Sequence, residues 1–106
     1  MELEHLLNFI SIEDQRLNQH YGVIDQDKRC LARTVKLAEE FGELCNEVLA
    51  HSSLQRADKL ANFDINNLSE EFADVIITTL LLAKTMDIDI EEAIEKKMEK
   101  INKRYQ

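Results

Sequence analysis

The chain has 106 residues, no proline, two glycines and 44% hydrophobic residues, a size for one domain over residues 1–106 and a composition for long helices rather than a many-turned sheet. Thirteen basic residues stand against 21 acidic ones, a net charge of −8 with histidine neutral. A protein that grips a nucleic acid duplex carries the opposite balance, but a divalent cation can bridge an acidic protein to an acidic small ligand, so a phosphorylated substrate stays open.

In chain order, Glu2 to His20 reads as a first helix with an imperfect apolar stripe of Leu6, Leu7, Ile10 and Leu17, interrupted by Gly22. A second helix runs from Asp27 to Ala50, with Leu31, Ala38, Phe41, Cys45 and Val48 on one broad side. Residues 51–66 are polar and aperiodic and read as a loop with room for a short helix. A third helix begins near Asn67, where Asn67 and Glu70 have capping-box character and Ser69 competes as the cap, and it continues to Met86. Asp89 with Glu92 marks the start of a fourth. Its stripe of Ile90, Ile94, Met98, Ile101 and Tyr105 is spaced 4, 4, 3 and 4, as one helical face requires. The expected fold is an all-α helical bundle.

Cys30 and Cys45 lack CxxC spacing, and reduced core thiols in a cytosolic protein are the expectation rather than a disulfide. The opening MELEHLLNF has acidic residues where a signal peptide needs basic ones. The longest apolar run, Val75 to Ala83, falls short of the roughly 20 residues that span a bilayer. The reading is a soluble, cytoplasmic protein with no membrane partner. A domain this small buries a limited fraction of its surface, so association with a second chain is expected.

The chemistry lies in four carboxylates. Glu40 and Glu43 are one turn apart on the second helix and project from the same side. Glu40 borders the apolar arc of Leu37, Phe41, Leu44 and Val48, with Glu43 about 60° further out. A solvated acidic face explains any lone ExxE. Glu71 and Asp74 repeat the spacing inside the run Phe72 to Ala83, on a helix apolar all round and therefore expected to be buried. A buried carboxylate must be paired, protonated or bound to metal, so Asp74 has either a basic partner on a neighbouring helix or a cation. Two antiparallel helices, each offering two acidic side chains, can surround a hard cation with oxygen ligands. Such ligation favours Mg²⁺, with Mn²⁺ an alternative. His5, His20 and His51 lie outside this constellation. No GxxxxGK[ST] loop is present, which excludes a P-loop.

Glu39-Glu40-Phe-Gly-Glu43 followed by Glu70-Glu71-Phe-Ala-Asp74, with 27 residues between Glu43 and Glu71, resembles the EExxE and ExxD pair of the MazG-like all-α nucleoside triphosphate pyrophosphohydrolases. The resemblance runs from about Leu31 to Tyr105 and includes a basic C-terminal element around Lys97, Lys100 and Arg104. It implies a four-helix-core bundle assembled as a dimer or a dimer of dimers. It also implies hydrolysis of a (deoxy)nucleoside triphosphate between its α and β phosphates, to monophosphate and pyrophosphate, in a housecleaning role. Carried over by position, Glu40, Glu43, Glu71 and Asp74 are the metal ligands. One of the first-motif glutamates orients or deprotonates the attacking water, and Glu39, about 100° from Glu40, is the least suited.

Lys97, Lys100 and Arg104 share one edge of the fourth helix. They are either a solvated basic face or contacts to the triphosphate, the second reading favoured for Lys97 and Arg104 in so acidic a chain. Many relatives carry asparagine four residues after the lysine matching Lys97, where this chain has Ile101, and Asn102 is one step late. Phosphoribosyl-ATP pyrophosphohydrolase is a rival with the same metal chemistry. A non-catalytic helical oligomer that binds a partner protein is a rival of another class. His20, Tyr21 and Phe63 are the aromatic candidates for base contact, with packing the stronger role for Phe63.

Overall fold

The computed structural model describes residues 1–22, 24–52 and 64–106. These form four helices: α1 (Leu3–Tyr21), α2 (Gln26–His51), α3 (Ile65–Thr85) and α4 (Ile90–Lys103). No strand occurs among the described residues, so the all-α expectation holds. Residues 53–63, including most of the expected loop and Phe63, lie outside the described residues.

Local chemistry explains the boundaries. α1 stops at Gly22, whose φ of 73° and ψ of −163° suit a residue without Cβ. α2 is capped by Asp25, which accepts from the Lys28 amide at 2.9 Å. α3 starts two residues before the expected Asn67, because Asp64 is the N-cap and accepts from the Asn66 amide at 2.9 Å. Ser69 is then inside the helix, its hydroxyl donating to the Ile65 carbonyl. At the other end the Ile88 amide donates to the Ala83 carbonyl and the Asp87 amide to the Lys84 carbonyl, a Schellman closure that places Asp87 at φ 55°. Asp89 caps α4 through the Glu92 amide at 3.1 Å, as its spacing with Glu92 predicts.

α3 is the central element, packed against α2 and against α1. Ile10, Leu80 and Leu81 form the buried core, with Leu6, Leu17, Ile77 and Ile90 packed on it. α2 and α3 run antiparallel: Gln26 at the start of α2 donates to the Thr85 carbonyl at the end of α3, and Arg33 donates to the Leu81 carbonyl. Between these helices and α1 lies a polar knot. The Arg33 guanidinium pairs with Asp14 at 2.6 Å and donates to Asn18 and to the Thr85 hydroxyl. The Arg33 and Asp14 side chains are only 11% and 18% exposed.

Four packing expectations change. α2 turns Arg33, Leu37, Glu40 and Leu44 inward, so its broad apolar side stays exposed, with Leu31 at 66% and Phe41 at 58%. α3 is not buried all round, since Phe72 and Ile76 are each about half exposed. α4 is joined to the core through Ile90, and every residue after Ile90 is exposed. The thiols Cys30 and Cys45 are free, but one is half-buried and the other exposed, so neither is a core residue. Among the described residues no helix is long and apolar enough to cross a membrane.

Candidate metal centre

Glu40, Glu43 and Glu47 are spaced 3 and 4 along α2, which places them on one face. Glu71 and Asp74 lie one turn apart on α3. Packing brings Glu40, Glu43 and Glu71 together: each offers a carboxylate oxygen, and these oxygens lie within 4.8 Å of one another.

The three differ in exposure. Glu40 is 7% exposed, Glu71 is half-buried and Glu43 is exposed. Glu40 Oε1 pairs with Lys36 Nζ at 3.0 Å. Its Oε2 is buried with no partner, as are Oε2 of Glu71 and Oε2 of Glu47. A buried charged oxygen left unpaired costs a few kcal/mol, and like charges add repulsion. The strain is visible in Glu71, whose carboxyl is held above the usual value. Burial is the main cause, followed by the charges of Glu43, Asp74 and Glu40 and by a hydrogen bond with Glu43. A cation among these oxygens removes both the repulsion and the missing partners. The donor set is all carboxylate oxygen, which suits a hard divalent ion.

Asp74 is half-buried and is not one of the three converging residues, although its charge bears on Glu71. The carboxylate sequestered from water is Glu40, which the sequence places only at the border of an apolar arc. Asp74 lies about 60° around α3 from Glu71, enough to turn it toward the rim.

Lys97, Lys100 and Arg104 are exposed on α4, which begins beyond the C-terminal end of α3. Asp74 to Thr85 alone spans about 16 Å. Lys36 is the cation in an ion pair with these carboxylates among the described residues, and the three α4 residues are not brought to them within this chain. None of the three histidines joins the cluster; His20 packs edge-on against the exposed Tyr21 at 4.7 Å. Sequence reading missed Lys36 and Glu47, though both were available from their spacing of four residues before Glu40 and four after Glu43.

The model of the MazG nucleotide pyrophosphohydrolase domain matches residues 28–106. The chain is similar to an uncharacterized protein, YpjD, of Bacillus subtilis (strain 168), with 38% identity over 74 residues; the match covers 70% of this chain and 65% of that protein. No solved structure matches. Carboxylates of α2 and α3 that converge at Glu40, Glu43 and Glu71, together with a family match over most of the chain, place this protein in the MazG nucleotide pyrophosphohydrolase family.

Proposed function

We propose that this protein hydrolyses a (deoxy)nucleoside triphosphate at the α–β phosphate bond in a Mg²⁺-dependent reaction, releasing monophosphate and pyrophosphate. The observation that carries this reading is the Glu40 carboxylate, buried with Oε2 unpartnered beside Glu43 and Glu71. A divalent cation held there supplies charge neutralisation for the triphosphate and acidifies water. Glu40, Glu43 and Glu71 are the holding residues, with Asp74, one turn along α3, the fourth ligand. Glu43, the one of the three open to solvent, is the group placed to orient and deprotonate the attacking water.

A second copy of the chain belongs to this reading. Phe41, Cys45 and Val48 lie about 80–140° around α2 from Glu40, and Phe72 and Ile76 lie about 100–140° around α3 from Glu71. In an antiparallel pair, offsets of the same sense point to the same side of the layer. α1 covers the opposite side through Leu80 and Leu81. With Ile65, about 120° around α3 from Glu71 and 55% exposed, this face offers on the order of 500 Å² of apolar surface, as large as the largest patch of a typical monomer. A dimer or a dimer of dimers buries it. Phosphate contacts from Lys97, Lys100 and Arg104 belong to that assembled state, in which the exposed apolar stripe of α4 is docked. A housecleaning role on cellular dNTPs, in the cytoplasm, completes the proposal.

Pyrophosphate release from a panel of ordinary and damaged nucleoside triphosphates and phosphoribosyl-ATP, with and without Mg²⁺, tests the reading. The expected result is metal-dependent release, reduced on the order of 100-fold or more by Glu40→Gln, a barrier increase of about 3 kcal/mol. Release from phosphoribosyl-ATP alone moves the assignment to that rival. No release from any substrate leaves the non-catalytic oligomer.

A further inference from the structure

The back of α2 is apolar and exposed. Leu31, Val35, Ala38, Gly42, Cys45 and Leu49 are spaced 4, 3, 4, 3 and 4, the alternating a and d positions of consecutive heptads. They lie about 140–220° around the helix from Glu40, on the side away from the carboxylates. All six are exposed, Leu31 by 66%, Val35 by 58% and Leu49 by 39%. A seam with a period of 3.5 residues is the pattern by which one helix lies along another.

Gly42 stands near the middle of this seam. A glycine inside a helix costs conformational entropy, and the described residues give no reason for it. A Cβ built there meets no packed neighbour within 4 Å, and of the two glycines only Gly22 has a positive φ. The order of sizes along the seam supplies a reason. In an antiparallel pair of α2 helices each a residue meets a d residue. The layers then join Leu31 to Leu49, Val35 to Cys45 and Ala38 to Gly42 of the partner subunit, largest at both ends and smallest at the crossing. Charge agrees with this direction. Gln26 to Lys36 carries four basic residues and one acidic, whereas Leu37 to His51 carries four acidic residues and no lysine or arginine. An antiparallel pair sets the basic half of one helix beside the acidic half of the other.

We propose that a second copy of this chain docks along the back of α2 as an antiparallel helix pair, with Gly42 of each copy against Ala38 of the other. This rests on the second-copy reading above and gives that copy a direction and a register. Cys45 belongs both to the seam and to the open face of the α2–α3 layer, so one partner covers the two surfaces. Together they offer on the order of 800 Å², one partner's share of a standard interface. Glu40, Glu43 and Glu71 of each copy face away from the pair, and each centre stays open to its own triphosphate.

The test combines disulfide trapping with sedimentation, the trapping in protein that carries Cys30→Ser and Cys45→Ser. Chains with Leu31→Cys, mixed with chains with Leu49→Cys, should form a covalent dimer on mild oxidation, and neither variant should trap itself. Trapping of either variant with itself means a parallel pair and overturns the arrangement, as does no trapping in the mixture. Gly42→Leu, which has room within its own chain, should keep the helix content while raising the dimer dissociation constant at least about ten-fold. An unchanged constant overturns the seam, and the second-copy reading survives if Phe72→Glu weakens the same dimer. A wild type that sediments as a monomer is a separate outcome, which removes the second-copy reading and the seam with it.

Discussion

Two charged clusters lie on the same face of α2, seven residues and about 10 Å apart, and both are closed by α3. At Arg33 the charges are opposite and the partners complete: the guanidinium meets the Asp14 carboxylate, Asn18, the Leu81 carbonyl and the Thr85 hydroxyl. At Glu40 three like charges converge and the partners are incomplete: Lys36 pairs with one oxygen of Glu40, while Oε2 of Glu40 and Oε2 of Glu71 are buried and unpaired. The first arrangement fastens three helices. The second works against the fold: Lys36 meets one oxygen of Glu40, and the buried oxygens that remain suit a further positive charge. Similar residue types at similar depth therefore serve opposite ends, and counting satisfied oxygens separates them where burial alone does not.

The sharpest break in this comparison is Arg33→Met. It strands Asp14 and should cost about 3–5 kcal/mol, a drop in Tm of at least about 12 °C, while the folded fraction still binds Mn²⁺ with wild-type affinity. Loss of metal affinity in the folded fraction would show that the two clusters are one unit. Next in size, Phe72→Glu places a charge on the open side of the α2–α3 layer, away from both clusters. Sedimentation should show the proposed dimer shifted to monomer by roughly 10-fold or more in dissociation constant, about 1.4 kcal/mol. An unchanged sedimentation profile would mean that another surface carries the association.

A smaller effect concerns pH. Because the Glu71 carboxyl is raised in the folded state, the native protein holds its proton more tightly than the unfolded chain does. The stability it contributes is complete below the unfolded value of 4.5 and is lost as pH rises through the raised folded value. Metal-free protein should therefore lose stability across that window in urea titrations, and Glu71→Gln should flatten the dependence. Mn²⁺ affinity should move the other way, tightening as the proton leaves. The smallest change is Asp87→Gly, which relieves the left-handed turn after α3 and should stabilise by about 0.5 kcal/mol, with no effect on either cluster.

The four helices of the described residues, their order and the cap at Asp89 were legible in the sequence because periodicity and capping are local properties. So were the two acidic pairs and the family they resemble. Which carboxylate would be sequestered was not legible. Asp74 stands in the more apolar run, yet the rotation of α2 against α3 buries Glu40, and that rotation is fixed by packing between distant segments. The Arg33–Asp14 pair was invisible for the same reason, its members 19 positions apart with no motif to join them. The exposure of the broad apolar side of α2 was not legible, because hydrophobic spacing reports that a helix is amphipathic and not whether its own chain covers the apolar side.

The central claim is that the Glu40 cluster binds a divalent cation, and a Mn²⁺ titration of wild type beside Glu40→Gln tests it most directly. The account predicts saturable binding by wild type, weakened on the order of 100-fold by Glu40→Gln. In the same titration the substituted protein, relieved of a buried charge, should be no less stable than the wild type without metal. Equal Mn²⁺ affinity in the two proteins would contradict it.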